Sequence, residues 1–456
     1  MKHEGGQTCI KRMRIRLKDQ PGYLGKLATL VGELEGFLGE ITTVKIVKGG
    51  TVRDIDVSVP DEEVFDGLCD AVREMEGVDL ISVHDVVRET HLGGKISVRS
   101  RVSLENADDL SIVYTPGVAT VCKLLYENPT LARKYTTIHN NVAIVTNGTA
   151  ILGLGDIGPV AGMPVMEGKA VLFQELAGIN GVPILVGSQD TDVIVAAVRA
   201  IAPTFGAIKL EDIRAPECFE IEDRLDAELP IPVMHDDQHG TAVVVLAALL
   251  NIARYTYTNL RRSTVGIIGL GAAGSGIHRL LRAYGVREIL GVDLNPEMIR
   301  RFEAGGGRPT DLAGVMRDAK VVIATTGVPG LIDPGMVREQ QVILALSNPD
   351  PEIRPDDALA AGAAYAADGK SINNAMAFPG VFKGALRANA TTINDAMKLA
   401  AARTIADLAP EGDLIPFILN RGVHDAVAKA VEEAALKTGA VTYVDELDLP
   451  ELEGPE

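Results

Sequence analysis

The first part of the chain, residues 10–88, switches repeatedly between two hydrophobic periods. Alternation of apolar and polar residues predicts strands at residues 13–17, 41–47, 52–59 and 80–87. Apolar residues at helical spacing predict two amphipathic helices, which carry Leu24, Leu27, Val31 and Leu34 in the first and Val64, Leu68, Val72 and Met75 in the second. The predicted order of elements is therefore β-α-β-β-α-β. The polar positions around the first strand are basic, which is typical of a solvated strand face.

A short turn, Asp19-Gln20-Pro21-Gly22, separates the first predicted strand from its helix. This turn and the order of elements resemble the ACT domain, a small-molecule sensing module of ferredoxin-like fold that is attached to many metabolic enzymes. The resemblance implies a regulatory domain over residues 1–90 that binds a small metabolite near the turn, between paired domains. The alternative is a plain ferredoxin-like domain that serves only dimerisation.

The region from residue 91 to residue 255 opens with a polar linker at residues 91–95 and then alternates helical and short strand segments. Asn147 and Gly148 predict a hairpin over residues 142–152. Two apolar runs, residues 205–210 and 231–234, predict neighbouring parallel strands, because the roughly twenty residues between them are enough for a crossover helix. The pattern indicates an α/β domain.

Acidic residues close both of these apolar runs. Glu211 and Asp212 follow the first run, and Asp237 follows the second. Ligands of open α/β sheets lie outside the carboxyl ends of the strands, so we expect the three side chains to meet at one edge of the sheet. Oxygen-only ligands favour Mg²⁺ or Mn²⁺ over zinc. The alternative is that the acidic pairs only cap the helices that follow.

A second sheet is predicted to begin at residue 264. Its opening consists of a strand, a glycine turn, a helix, and a strand that ends at Asp293. Gly269 permits the tight turn, Gly271 lets a pyrophosphate approach backbone N–H groups, and Gly274 permits close packing of the helix. Asp293 is placed to accept hydrogen bonds from a free ribose 2′-hydroxyl and to repel a 2′-phosphate, which predicts NAD rather than NADP.

Two later strands, at residues 320–324 and 342–346, are predicted to end on the ligand edge of the same sheet. The predicted cofactor site therefore comprises Gly269, Gly271, Ala272, Ala273, Gly274, Asp293, Thr325 and Asn348. This Rossmann domain is predicted over residues 256–440, and an acidic tail follows at residues 441–456.

Composition narrows the class of partner. The net charge of -18 over 456 residues argues against nucleic acid and against anionic membranes, both of which repel an acidic surface. The longest apolar run, residues 241–250, is too short to span a bilayer. The 4 cysteines are far apart in the sequence and predict neither a disulfide framework nor a zinc ribbon, which fits a reducing cytoplasm.

Over residues 95–440 the chain resembles malic enzymes of the shorter, NAD-dependent bacterial type. The motifs that carry the resemblance are Tyr114-Thr115-Pro116-Gly117-Val118-Ala119, Leu152-Gly153-Leu154-Gly155-Asp156, Glu167-Gly168-Lys169, Glu211-Asp212, Asp236-Asp237-Gln238-His239-Gly240-Thr241, and Asn373-Asn374 before Phe378-Pro379-Gly380. Their order along the chain is that of the family. The resemblance implies oxidative decarboxylation of malate to pyruvate with NAD and a divalent metal.

The resemblance also implies a role for individual residues. Lys169 matches the base that takes the C2 hydroxyl proton, and Asp236 would orient it. Tyr114 matches the acid that protonates C3. Asn348 and Asn374 match positions that hold the malate carboxylate. The metal would be held by Glu211, Asp212 and Asp237.

One position departs from the family pattern. Larger members carry an arginine just before the glycine-rich motif at residues 151–156, and Ala150 stands there in this chain. The positive partner of the distal malate carboxylate is therefore not identified by the resemblance.

Other interpretations stay open at this point. Malolactic enzymes have related sequences and bind NAD but release lactate without net redox change. An ACT-bearing amino-acid dehydrogenase would use Lys169 on an imine or amine and would have no need of the three carboxylates. His235 and His239 have the spacing of a zinc pair, although packing roles are favoured. A homo-oligomer is expected from the paired sensing module.

Overall fold

The computed structural model describes residues 9–151, 153–370 and 372–442. The chain divides into two compact units, Met1–Ser97 and Val98–Glu456. Leu152, where the predicted hairpin ends, lies outside the described residues, as does the predicted acidic tail from residue 443 onward. Within the described ranges no helix is both long enough and apolar enough to cross a bilayer.

The first unit is a four-stranded antiparallel sheet packed against helices. Its elements are β1 (Cys9–Lys18), α1 (Tyr23–Glu33), β2 (Phe37–Val47), β3 (Gly50–Val59), α2 (Glu62–Glu74), β4 (Val78–His84) and α3 (Val86–His91). The strand order is β2-β3-β1-β4, which confirms the predicted β-α-β-β-α-β arrangement. The last strand ends earlier than predicted, because the Asp85 side chain accepts a hydrogen bond from the Arg88 N–H and begins α3.

The alternating apolar and basic residues of β1 lie on opposite faces of the sheet, as predicted. Met13 and Ile15 are buried in the core of the unit. Between them, the Arg14 guanidinium forms a bidentate ion pair with Asp54, the residue directly opposite on β3. Arg12 pairs with Asp56 in the same way. The basic residues therefore lie on the solvated face of the sheet, where cross-strand partners neutralise them.

The second unit begins with helices and a parallel sheet. Its first elements are α4 (Ala107–Val113), α5 (Val118–Glu127), α6 (Ala132–Tyr135), β5 (Asn141–Thr146), α7 (Pro159–Ala177), β6 (Asn180–Leu185), α8 (Thr191–Ile201), β7 (Ala207–Leu210), α9 (Glu217–Glu228), β8 (Val233–His235) and α10 (Asp236–Tyr255). The strand order is β6-β5-β7-β8. The two apolar runs are thus neighbouring parallel strands joined through α9, as predicted.

The hairpin predicted over residues 142–152 is wrong. β5 pairs in parallel with both β6 and β7, so no returning strand follows it. Gly148 instead adopts a φ of 69° and packs so closely on the backbone of Gly158 that a Cβ would lie 2.2 Å from its carbonyl carbon. A long-range backbone contact therefore fixes the Asn-Gly turn that local sequence assigns to a hairpin.

A second parallel sheet completes the unit. Its elements are β9 (Thr264–Ile268), α11 (Ala272–Tyr284), β10 (Glu288–Val292), α12 (Pro296–Ala304), β11 (Arg308–Pro309), α13 (Leu312–Asp318), β12 (Val321–Ala324), β13 (Val342–Ala345), α14 (Pro355–Ala360), β14 (Tyr365–Asp368), α15 (Phe378–Arg387), α16 (Asp395–Asp407) and α17 (Arg421–Thr438). The order β11-β10-β9-β12-β13-β14 is that of a Rossmann fold. The apolar helix α10 is buried over most of its length, in a core that it shares with both sheets.

Candidate active site

Three carboxylates meet at the carboxyl edge of the first parallel sheet of the second unit. Glu211 and Asp212 follow β7, and Asp237 lies in the first turn of α10, directly after β8. One oxygen atom from each side chain lies within 4.8 Å of the other two. The Asp212 N–H donates to Asp237 Oδ2 at 2.9 Å, which ties the two strand ends together. The structure thus brings together the three residues that the sequence singled out as metal ligands.

The chemistry of this cluster fits a hard divalent cation. Among the described residues, Asp212 Oδ2 is buried without a hydrogen-bond partner. Burial and the negative charge of Asp237 raise the pKa of Asp212 to about 7. A buried carboxylate with an unsatisfied oxygen is destabilised unless a positive group approaches it. Because all the ligand atoms are carboxylate oxygens, Mg²⁺ or Mn²⁺ suits the cluster better than zinc.

An amine lies directly beside this cluster. Lys169, on α7, places its Nζ 3.0 Å from Glu211 Oε1 and 3.2 Å from Asp236 Oδ2. Asn374 accepts a hydrogen bond from the same Nζ through Oδ1, at 3.4 Å, and donates to Asp236 Oδ2 through Nδ2, at 3.1 Å. The ammonium also lies over the Phe378 ring, 5.1 Å from its centroid. Three separate segments of the chain therefore fix the position of Lys169.

Gly240 makes room for this arrangement. A Cβ at this position would lie 2.1 Å from Asp236 Oδ1, well inside van der Waals contact. The glycine of the motif at residues 236–241 therefore has a steric role, because it leaves room for the Asp236 carboxylate one turn further along α10.

A second lysine, which the sequence analysis missed, occupies the same cluster. Lys209 on β7 is 0% exposed, contacts Glu211 Oε2 and lies 3.1 Å from Asp236 Oδ2. Its Nζ lies 4.6 Å from the centroid of the Phe378 ring. Burial lowers the pKa of Lys209 to about 8, against the opposing effect of the Asp236 charge. The only signal in the sequence is a charged residue inside an apolar strand, two positions before Glu211.

Another buried carboxylate holds the start of α10. Glu222, on α9, accepts hydrogen bonds from the His235 N–H at 2.6 Å, from Gln238 Nε2 at 2.9 Å and from His239 Nε2 at 3.0 Å. Lys398 donates to the other ring nitrogen of His239 at 3.1 Å. Because both ring nitrogens of His239 are engaged, the alternative of a zinc pair with His235 is wrong.

The charges around Glu222 oppose each other. Burial by itself would raise the pKa of this carboxyl, but the charge and hydrogen bond of His239 and the charge of Lys398 lower it to about 2. Burial lowers the pKa of Lys398 to about 8. Glu222 was also missed from the sequence, since an acid on a polar helix gives no sign of burial.

The glycine turn of the second sheet has the predicted geometry. Gly269 has a φ of 89°, which favours glycine, and a Cβ on Gly274 would lie 1.9 Å from the Gly269 carbonyl oxygen. Among the described residues, apart from its chain neighbours, no atom lies within 4 Å of a Cβ built on Gly271, so this residue borders open space. Ala272 and Ala273 form the first turn of α11. The turn thus offers a helix N-terminus with room for a phosphate group.

Asp293 closes the second strand of this sheet next to the turn. Its Oδ2 accepts a hydrogen bond from the Leu270 N–H at 2.6 Å, and its Oδ1 accepts one from the Asn295 N–H at 2.8 Å. Each oxygen keeps a lone pair, so the carboxylate is still able to accept hydrogen bonds from ribose hydroxyls.

Loops after the next two strands converge on the same edge. The Thr325 hydroxyl donates to the Gly269 carbonyl at 3.0 Å. Glu352, which is 0% exposed and was missed from the sequence, accepts from the Thr326 N–H at 2.6 Å and from the Ser347 hydroxyl at 2.6 Å. One buried carboxylate therefore joins the two loops that follow β12 and β13.

Two of the predicted site residues, Tyr114 and Asn348, form no hydrogen bond within the described ranges to Lys169 or to the carboxylate cluster. Tyr114, at the end of α4, is 66% exposed, and among the described residues no hydrogen bond or ion pair joins it to Lys169. Asn348 is half-buried in the loop after β13, and no hydrogen bond within the described ranges links it to the cluster. Ala150 donates its N–H to the Asp212 carbonyl at 3.0 Å, so its backbone supports the metal ligands although its side chain offers no charge.

Comparisons with known proteins identify relatives of this chain. The malic enzyme N-terminal domain model matches residues 93–191 and 187–226, and the NAD binding domain model of D-isomer specific 2-hydroxyacid dehydrogenases matches residues 244–329. The chain is 53% identical over 429 residues to NAD-dependent malic enzyme 1 of Bacillus subtilis, which covers 94% of this chain and 98% of that protein. It is 44% identical to the bifunctional malic/malolactic enzyme of the same organism, over 76% of this chain and 91% of that protein.

A solved structure is also similar. The crystal structure of malic enzyme from Pyrococcus horikoshii matches with a TM-score of 0.73 and 40% identity, over 78% of this chain and 93% of that one. The chain belongs to the malic enzyme family.

Proposed function

We propose that this protein catalyses the oxidative decarboxylation of malate to pyruvate and CO₂, with reduction of NAD and with a divalent metal. The observation that carries the proposal is the position of Lys169, whose Nζ lies 3.0 Å from Glu211, a member of the carboxylate cluster. A base and a cation site that share one residue suit a substrate whose hydroxyl must be both activated and deprotonated. The family relationship and the NAD-dependent malic enzyme of Bacillus subtilis support the same reaction.

A divalent metal and NAD would supply part of the chemistry. Glu211, Asp212 and Asp237 would hold Mg²⁺ or Mn²⁺, which acts as a Lewis acid on substrate oxygens when bound. The glycine turn at residues 269–274 and Asp293 would hold NAD, which accepts the hydride from C2 when bound. The charge of Asp293 would repel a 2′-phosphate, which supports NAD over NADP.

The residues of the chain carry out the proton transfers. Lys169 takes the proton from the C2 hydroxyl as C2 is oxidised. Asp236 and Asn374 hold the amine through the contacts given above and keep it pointed at the cluster. Loss of CO₂ from the resulting oxo acid leaves the enolate of pyruvate, which must gain a proton at C3. Tyr114 is the donor for this proton, and the Lys169 ammonium restores it.

Assembly is needed to bring Tyr114 into a water-poor environment. Tyr114 and its neighbours Leu110 and Ile112 expose 66%, 50% and 73% of their surface. A catalytic phenol in bulk water would exchange its proton with solvent rather than deliver it to one carbon. We therefore propose that the protein is a homo-oligomer in which a second copy covers α4.

The test of assembly uses charge substitutions on this helix. Ile112→Glu should dissociate the oligomer, as measured by analytical ultracentrifugation, and should lower turnover in parallel. Leu436→Glu is the matched control, because Leu436 is 58% exposed on α17. An Ile112→Glu enzyme of unchanged size would contradict the proposed interface.

The reaction itself is tested by a steady-state assay on malate and NAD, with and without Mn²⁺. We expect one NADH and one pyruvate per malate consumed, and no turnover after chelation. Lactate without NADH would assign the malolactic reaction instead. Lys169→Met should abolish turnover, whereas Lys134→Met, a lysine on α6 outside the cluster, should not.

The first unit is proposed to regulate the enzyme through a small metabolite near Asp19 and Gly22. Its β-α-β-β-α-β sheet and the turn between β1 and α1 support this proposal. Deleting residues 1–90 should leave an active enzyme that has lost the response. If no amino acid or organic acid in a screen of the full chain shifts its rate or its thermal transition, the unit is structural.

A further inference from the structure

The metal-binding cluster contains more negative charge than its three proposed ligands. Glu211, Asp212 and Asp237 form the carboxylate cluster, and Asp236 adds a fourth carboxylate beside it. Within the described ranges, the ammonium groups of Lys169 and Lys209 each contact Glu211 and Asp236. When all six groups are ionised, two negative charges are left over. One divalent cation cancels them.

The two lysines have different access to a substrate. The Lys169 side chain is 13% exposed and reaches the cluster from α7. The Lys209 side chain is 0% exposed, and its Nζ is enclosed by Glu211, Asp236 and the Phe378 ring. Lys209 therefore cannot touch malate or NAD, and whatever it contributes acts through the two carboxylates.

We propose that Lys209 is a positioning residue that sets the charge of the cation this site accepts and so selects divalent over trivalent metal ions. The proposal rests on the proposed metal site. A fixed ammonium repels a bound cation in proportion to the cation's charge, so it penalises a trivalent ion by half as much again as a divalent one. Specificity of this kind is a difference between two affinities, and a repulsive group creates it.

Removing the ammonium should change the ratio of the La³⁺ and Mn²⁺ affinities, which simple damage to the site would not change. In Lys209→Met the side chain keeps an apolar chain of similar length but loses its charge. The affinity for La³⁺ relative to Mn²⁺ should then rise at least tenfold, while turnover with Mn²⁺ falls because Glu211 and Asp236 lose a common partner. A purely structural lysine would weaken both ions in parallel and leave the ratio unchanged.

The experiment measures the two dissociation constants by isothermal titration calorimetry on the full chain. Lys209→Gln is a second neutral variant, which keeps hydrogen-bond donors beside the carboxylates and serves if Lys209→Met does not fold. Lys209→Arg keeps the charge and should keep the wild-type ratio. Lys383→Met is the matched control, because Lys383 is a buried lysine whose partner, Asp425, lies on α17.

The outcomes separate the two proposals. If the wild-type protein binds no Mn²⁺, or binds it as well in Asp237→Asn, the proposed metal site is wrong. If the wild-type protein binds Mn²⁺ through Asp237 but both neutral variants keep the wild-type La³⁺ to Mn²⁺ ratio, the role of Lys209 is wrong. A rise in the ratio in both neutral variants, and in neither Lys209→Arg nor Lys383→Met, supports the proposal.

Discussion

Neutralising Glu222 should lower the free energy of unfolding more than neutralising most other charged residues of the chain. In Glu222→Gln an amide nitrogen replaces one carboxylate oxygen. Whichever oxygen is replaced, a donor then faces another donor, because Oε1 accepts from the His235 N–H and Oε2 accepts from Gln238 and His239. The substitution thus breaks at least one buried hydrogen bond without a replacement, and it removes one of the negative charges that act on the buried Lys398.

The expected loss is about 3–5 kcal/mol, the usual cost of removing one partner from a buried charged network. The pKa of Glu222 leads to a similar figure. Its value in the folded protein is about 2, against a reference of 4.5, and each unit corresponds to roughly 1.4 kcal/mol. The carboxylate form therefore stabilises the fold by about 3 kcal/mol.

The pH dependence has a definite sign. Because the folded pKa is depressed, this contribution is fully present above the unfolded value of 4.5 and is lost as the pH falls toward 2. Urea unfolding of wild-type and Glu222→Gln proteins should differ by a constant amount from about pH 6 to pH 7 and by less below pH 4.5.

The matched control is Glu220→Gln, on the exposed face of the same helix, where the carboxylate of Glu220 is paired with Arg224 at the surface. This change should cost less than about 0.5 kcal/mol, because exposed ion pairs contribute little. Equal effects of the two substitutions would refute the prediction, since only Glu222 is buried and accepts three hydrogen bonds from its surroundings.

Three further predictions concern the site itself. Burial and the neighbouring Asp237 raise the pKa of Asp212 to about 7, so Mn²⁺ must displace a proton when it binds below that pH. The affinity for Mn²⁺ should therefore fall roughly tenfold per pH unit below pH 7, and calorimetry in several buffers should detect the released proton. An affinity that stays constant from pH 5.5 to 7 would contradict this prediction. Gly240→Ala places a methyl group 2.1 Å from Asp236 Oδ1, and we expect kcat to fall by about a hundredfold with the fold retained by circular dichroism; near-normal kcat would show that Asp236 is free to move. Asp293→Ser should lower kcat/KM for NAD by about ten- to a hundredfold and raise that for NADP, since a charged acceptor contributes about 1.5–3 kcal/mol; an unchanged ratio of the two would remove Asp293 from ribose recognition.

Much of the fold could be predicted because its elements are half-buried and carry a clear period. The alternation along β1 separates Met13 and Ile15 from arginines on the other face, and the partners of those arginines lie directly opposite on β3. The parallel strands β7 and β8 were predictable for a different reason, because each is a short apolar run that ends in acids. The carboxylate cluster follows from that topology alone.

The parts that could not be predicted depend on contacts between distant segments. The loop at Gly148 resembles a hairpin turn locally, and only the backbone of Gly158 decides otherwise. Lys209 and Glu352 are residue types that normally lie at the surface, and each is buried because partners from other segments satisfy it. Sequence patterns reveal the hydrophobic period of each element and the residue types of local turns. Neither of these identifies contacts between segments that are distant in the sequence.

Phe378 places a limit on how early the catalytic centre can mature. Its ring lies beneath both ammonium groups and packs edge-on against Phe173, 4.8 Å away between centroids, while Asn374 reaches an amine 205 positions earlier in the chain. During synthesis, Lys169, Lys209 and the carboxylates at residues 211–237 leave the ribosome well before the Phe378 ring does. Phe378 also follows β14, the last strand of the second sheet, so the complete site requires that the whole second sheet has been synthesised first.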